Sequence, residues 1–142
     1  MSAATEIAEQ FLDLTIRDLP SLADLYAEDV VIEMPFAAPL FPTRRTTTRA
    51  ELRSQYARSS GRTYTRVDNA HVYESSDPDV AIVEYDLRGT VDQGGRDFTL
   101  SYIQIITVKN GLIVHSRDYS NIVQAAQAFG MEEQLVAALV RP

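Results

Sequence analysis

The sequence predicts an α+β fold: a curved antiparallel sheet shaped as a half-cone, covered by N-terminal helices and enclosing an apolar pocket. Three observations predict it. Apolar residues recur at helical spacing in the first third of the chain, the period shortens to two from Tyr64 onward, and the later runs are joined by turns short enough to require antiparallel pairing. Helices followed by such a meander pack on one face of the sheet, and the curvature leaves a hollow suited to a small ligand.

Ile7, Phe11 and Leu14 recur at i, i+4 and i+7 and mark the first helix. Pro20 suits the first turn of a second helical segment, with Leu22, Leu25 and Tyr26 behind it. Val30-Val31-Ile32 is a β-branched run that ends at Pro35, so a short strand is expected, followed by a loop over 36–47. Thr48-Arg49-Ala50-Glu51 matches a capping box, with Leu52 and Tyr56 at helical spacing after it. Strands are expected at Thr65–Glu74, Val80–Val91, Asp97–Lys109 and Leu112–Tyr119, with turns at Ser76–Asp79, Gly94-Gly95 and Asn110-Gly111. Asn121 is a good N-cap for a helix from Ile122 to Phe129 that stops at Gly130. A last amphipathic segment uses Met131, Leu135, Ala138 and Leu139.

Composition narrows the function. With 142 residues, 45% hydrophobic and 23% charged, one globular domain over 1–142 is expected. Net charge is −7, from 13 basic and 20 acidic residues, which argues against general affinity for nucleic acid or anionic membrane. Cysteine is absent, so disulfides, thiolate metal sites and cysteine nucleophiles are excluded, and with two histidines no metal site is expected. Neither a signal-like N-terminus nor a membrane-length apolar run is visible, and a cytoplasmic protein is expected.

Strand alternation picks out candidate site residues. Phe98, Leu100, Tyr102, Gln104, Ile106 and Val108 form the core row of one strand, and Gln104 is its strongly polar intruder. A buried amide must bond either to protein or to a ligand. In the preceding strand Ala81, Val83, Tyr85 and Leu87 form the apolar row, while Glu84, Asp86 and Arg88 read as a solvated face with cross-strand pairing. In the final strand Leu112, Val114, Ser116 and Asp118 alternate with Ile113, His115, Arg117 and Tyr119, and periodicity leaves open which row faces inward. If the first does, desolvation lifts the Asp118 pKa toward general acid–base use; otherwise Asp118 caps a helix or pairs with arginine. His71 and His115 read as surface or structural residues without a carboxylate beside them.

Arg44, Arg45, Arg49, Arg53, Arg58, Arg62 and Arg66 crowd into 44–66 with Glu51 as the sole acid. Arg45, Arg49 and Arg53 fit one helical face. A solvated basic face, an anionic substrate and an acidic protein partner are the readings of this stretch.

Leu25–Pro35, Gly111-Leu112-Ile113 and Arg117–Asn121 together resemble a SnoaL-like member of the nuclear-transport-factor-like (ketosteroid isomerase-like) superfamily. Steroid isomerases would place a base at Met34, an oxyanion-hole acid at Gln104 and a phenol near Gln10, and all three groups differ here. The last-strand aspartate of limonene-type epoxide hydrolases matches Asp118, but their Arg-x-Asp pair falls on Tyr85 and Leu87. Small phenazine-biosynthesis proteins are similar over 77–89 and 111–121; the resemblance puts their catalytic acid at Asp118, their helical histidine at Gln55 and their serine at Ser59. SnoaL-type polyketide cyclases imply a pocket carboxylate and no cofactor.

The expectation is therefore a cofactor-independent acid–base enzyme, a cyclase or isomerase, acting on a hydrophobic small-molecule biosynthetic intermediate. Asp118 would be the acid–base, and Gln104 would bond a carbonyl or oxyanion. Gln10, Leu14, Phe36, Gln55, Tyr56, Ser59, Val83, Tyr85, Tyr102 and Ser116 would line the pocket. A non-catalytic ligand-binding module and an epoxide hydrolase-like enzyme are the alternatives. Ile103 and Ile105, on the row opposite the core, point to a homodimer through the outer sheet face unless the C-terminal segment covers them.

Overall fold

The computed structural model describes residues 2–58 and 61–140. Helix α1, Ala3–Arg17, starts where the Ser2 hydroxyl accepts from the Thr5 amide. Its buried face is Ala4, Ala8, Phe11 and Thr15, so small side chains bring the helix close to the sheet. Ile7 and Leu14 flank that face and are only partly buried against the core, which moves the stripe by one residue from the expected one.

A 3₁₀ helix, Leu19–Leu25, follows, with Asp18 accepting from Ser21 and Pro20 in its first turn. Tyr26, expected at the end of this helical segment, instead opens strand β1, Tyr26–Glu33. The expected loop over 36–47 also needs correction, because Arg44–Thr48 is an edge strand, β2, antiparallel to β1. Its outward residues are polar, so it lacks the apolar alternation that marks a strand; β-branched threonines and the free edge of β1 supply the drive. Helix α2, Arg49–Ala57, begins with Thr48 accepting from the Glu51 amide. The Glu51 carboxylate accepts from the Thr47 hydroxyl at 2.8 Å instead of completing the box.

Strands β3 (Arg62–Glu74), β4 (Val80–Val91), β5 (Asp97–Lys109) and β6 (Leu112–Ser120) form the antiparallel meander. The sheet order is β2-β1-β6-β5-β4-β3, with β1 parallel to β6 and every other pair antiparallel. The β5–β6 hairpin turns on Asn110 and Gly111 at φ 53° and 75°, the left-handed values that a tight two-residue turn demands. On β4, Ala81, Val83, Tyr85, Leu87 and Gly89 are all buried, which is the predicted alternation. Leu52 of α2 and Ile106 and Ile113 of the sheet are almost wholly buried and anchor the core, each contributing roughly 1.5–3 kcal/mol by removal from water.

Pairing along β5 and β6 shifts between Thr107 and Val108. Before the shift Ile113 faces Val108, and after it Ser116 and Asp118 face Ile106 and Gln104. The inward row of β6 is therefore Ile113, Ser116 and Asp118, and Val114 does not lead into it as alternation alone predicts.

Helix α3, Ile122–Phe129, is capped by Asn121, whose side chain accepts from Val123 and Gln124, and ends at Gly130 with φ 66°. Ala125 and Ala128 join the core at the open end of the cone. Helix α4, Glu132–Leu139, buries Leu135, whereas Leu139 of the expected seam is exposed. No helix among the described residues is long and apolar enough to cross a membrane.

Candidate functional site

Asp118 lies on the inner face of the sheet, opposite Gln104. The Tyr85 hydroxyl donates to Gln104 Oε1 at 2.8 Å, which turns the Gln104 amide nitrogen toward Asp118, with which it also bonds. Ser116, fully buried two residues earlier on the same row, donates to Asp118 Oδ1. These bonds lower the carboxyl pKa, but desolvation outweighs them, and the net shift is upward.

The surroundings are phenolic. Tyr26 from β1, Tyr56 from α2, Tyr85 from β4 and Tyr102 from β5 all feel the Asp118 charge. Burial is the leading cause of the raised pKa of each, and Tyr56 is pushed up to about 12. They are therefore neutral donors at physiological pH. Tyr26 and Tyr56 are hydrogen-bonded to each other, and Tyr85 stacks on Tyr102 at 5.4 Å between centroids. Arg45 on β2 is the cation that pulls the Asp118 pKa down most strongly, with His115 behind it.

Two hollows open at the mouth of the cone. One, of about 440 Å³, lies between the 3₁₀ helix, α2 and the start of β3, with Tyr56, Tyr64, Arg58 and Arg62 in its wall. The other, of about 410 Å³, is apolar, lined by Met34, Ala37, Phe41, Tyr102, Ile122 and Phe129 among others. Arg45 and Gln55 belong to both walls and mark the junction. The Arg62 guanidinium sits 4.1 Å over the Phe129 ring, and Phe41 meets Phe129 edge to face.

The expected lining residues sort into three groups. Gln55, Tyr56 and Tyr102 do line the hollows. Ser116, Tyr85 and Gln104 form the buried bonds behind Asp118, so Gln104 positions the carboxylate: its carbonyl is spent on Tyr85 and its amide bonds Asp118, in place of the expected bond to a ligand oxyanion. The rest lie elsewhere. Gln10 is exposed on α1, one step off its buried face; Leu14 packs on the core; Val83 is sealed within it. Phe36 is 61% exposed and meets Tyr119 edge to face, beside a groove on the outer face of the sheet. Ser59 lies outside the described residues. Tyr26, Tyr64, Arg45 and Arg62 were not singled out for the pocket by sequence; Tyr26 and Tyr64 stand at strand starts, and Arg45 is hidden in a polar strand.

Two further corrections concern charge. Arg45, Arg49 and Arg53 do not share a helical face: Arg45 is on β2, Arg49 donates to the Tyr26 carbonyl at 2.8 Å, and Arg53 pairs with Asp24. His115, expected to lack a carboxylate neighbour, bonds Glu33 at 2.9 Å on the outer face, because β1 runs beside β6. Among the described residues no group of three acidic or histidine side chains is placed to hold a metal.

A family model described as a SnoaL-like domain matches residues 8–116. An uncharacterized protein of Bacillus subtilis, YesE, is 31% identical over 134 residues, covering 89% of this chain and 87% of its own length. An uncharacterized PhzA/B-like protein of Pseudomonas aeruginosa is 29% identical over 116 residues, covering 80% of this chain and 79% of its own. Among solved structures, a proposed isomerase from Bacillus subtilis superposes with a TM-score of 0.78 at 28% identity, covering 92% of this chain and 94% of its own.

Proposed function

The chain belongs to the SnoaL-like domain family, and on that premise we propose that it is a cofactor-independent acid–base enzyme of cyclase or isomerase type acting on a hydrophobic small molecule. One observation carries this reading: a single carboxylate, Asp118, is held by Ser116 and Gln104 within a ring of neutral phenols at the base of the cone. Desolvation brings its pKa toward the working range of a general acid–base, and Tyr56 or Tyr102 supplies an O–H to a developing oxyanion. Ionised Asp118 removes a proton beside a substrate carbonyl, the phenol holds the enolate oxygen, and Asp118 returns the proton at the new position.

The test needs no knowledge of the natural substrate. Deuterium uptake at the α-carbon of aryl ketone probes in D₂O should be accelerated by the protein and should fall at least about a hundredfold in Asp118→Asn. Equal rates in the two proteins would refute the catalytic assignment.

A binding module is the second reading, favoured by the fact that Asp118 is not among the lining residues of either hollow. It predicts ketone binding without exchange. The epoxide hydrolase alternative lacks its Arg-x-Asp pair, because tyrosine and leucine stand at the two positions, Tyr85 and Leu87. The proposal includes a homodimer through the outer sheet face, on which Ile103 is 45% exposed.

A further inference from the structure

The arginines of 44–66 are sorted by the fold. Arg44 meets Glu33, Arg53 meets Asp24 and Arg66 meets Asp68, so these three are neutralised locally by carboxylates. Arg45 differs: its guanidinium donates at 3.3 Å to Gln55, a neutral amide. That pair stands where the two hollows join. Arg58 and Arg62 line the first hollow with it, and neither hollow has an aspartate or glutamate in its wall. In a chain of net charge −7, Arg45 thus stands at a cavity junction with an amide, not a carboxylate, as its hydrogen-bond partner, a position open to an anionic group.

From this juxtaposition we infer that the ligand of the cone carries a carboxylate, bound by Arg45 at the junction, on an apolar body seated in the second hollow. The wall there is Met34, Ala37, Phe41, Ile122 and Phe129, which excludes a second charge at the far end. The planar guanidinium takes a carboxylate in two parallel hydrogen bonds, and Gln55 is displaced or retained as a third donor. This inference rests on the proposed reading of the cone as the ligand site and adds the class of ligand.

It has a mechanistic corollary. Arg45 is the main cation lowering the Asp118 pKa, so a carboxylate that neutralises Arg45 removes that influence and adds its own negative charge nearby. The ligand thereby raises the Asp118 pKa further, which strengthens its carboxylate as the base of the first step.

Matched probes decide the point. Carboxylate and carboxamide pairs on phenyl, naphthyl and decalin bodies, such as 2-naphthoate and 2-naphthamide, differ in charge and hardly in shape. Calorimetry should show the carboxylates bound about tenfold to a hundredfold more tightly, the worth of a charge-assisted hydrogen bond. Arg45→Met should erase that preference while leaving carboxamide affinity within about twofold, Arg45→Lys should retain part of it, and Arg53→Met should change nothing. Carboxamides that bind as well as carboxylates to the unaltered protein, or a preference that survives Arg45→Met, overturn the inference. Either result leaves the Asp118 exchange test standing, and loss of exchange activity in Asp118→Asn with the carboxylate preference intact separates the two readings.

Discussion

At the scale of single residues, Asp118 sets stability against chemistry. Its raised pKa means that the folded chain holds this proton more tightly than the unfolded chain does. The corresponding stabilisation is complete below the unfolded pKa and is lost as pH rises through the folded one. At pH 7 the desolvated carboxylate is thus a net burden: burial among the neutral phenols of Tyr26, Tyr56, Tyr85 and Tyr102 outweighs the Ser116 and Gln104 bonds and the charges of Arg45 and His115, all of which favour the ionised form. Asp118→Asn keeps the acceptor for Ser116, and a flip of the Gln104 amide accommodates the new NH₂ because the Tyr85 hydroxyl can accept as well as donate. The variant should melt higher at pH 7, by ~2–4 °C for each kcal/mol relieved, and the gain should vanish below about pH 4. A lower melting temperature together with a depressed carboxyl pKa by carbon-detected NMR would make Asp118 a structural residue. The sequence made this residue visible as a polar end to an apolar row. It could not orient the row, because a one-residue pairing shift in β6 changes which side chains face inward while composition stays the same.

Secondary-structure elements show where sequence patterns suffice and where they fail. Strands β4 and β5 match the sequence expectation at both ends because both of their faces contrast and their turns carry Asp-Pro-Asp, Gly-Gly or Asn-Gly. Strand β2 and the site cation on it were invisible, since an exposed Arg-Thr segment pairs only because β1 offers an edge. Tyr26 was misplaced for the converse reason: its aromatic ring fits a helical apolar stripe as well as a strand start. Gly89 shows how an element is shaped by what it lacks. A Cβ there would stand 2.4 Å from the Thr63 carbonyl oxygen and 2.6 Å from the Phe98 ring, so β3, β4 and β5 converge on the missing side chain. The Thr63 contact is backbone and cannot rotate away. Gly89→Ala should therefore destabilise the protein by about 1–3 kcal/mol, read as a lower denaturant midpoint, whereas an alanine at the open Gly61 position meets no neighbouring atom and pays only for its left-handed φ of 76°. Equal midpoints for Gly89→Ala and the parent would mean that the sheet is less closely folded at this corner.

At the scale of the whole molecule, no element among the described residues covers Ile103 on the outer sheet face. Helix α3 caps the open end, where Gln124 bonds the Ser101 backbone and hydroxyl, and does not extend over Ile103. A groove of about 580 Å³ runs across this face past His71, Glu84, Asp86, Ile103 and Tyr119. Its charges are divided: on the β3–β4 side Asp68, Glu84 and Asp86 outnumber Arg66 and Arg88, while on the β6–β1 side Arg117 and Arg44 outnumber Glu33. A two-fold axis through Ile103 would lay the acidic half of one copy on the basic half of the other, the self-complementarity that an isologous interface requires. Size also fits. Six strands spaced by about 4.8 Å and averaging ten residues present about 950 Å², enough for the ~800 Å² per partner of a stable complex. Sedimentation at micromolar concentration should give a dimer, and Ile103→Lys should shift it to monomer by placing two charges against each other at the axis. Because the sheet separates this face from Asp118, the variant should keep the carboxylate preference of the cone and its α-proton exchange. A parent protein that sediments as a monomer would dismiss the interface, and a dimer unchanged by Ile103→Lys would place it on another surface.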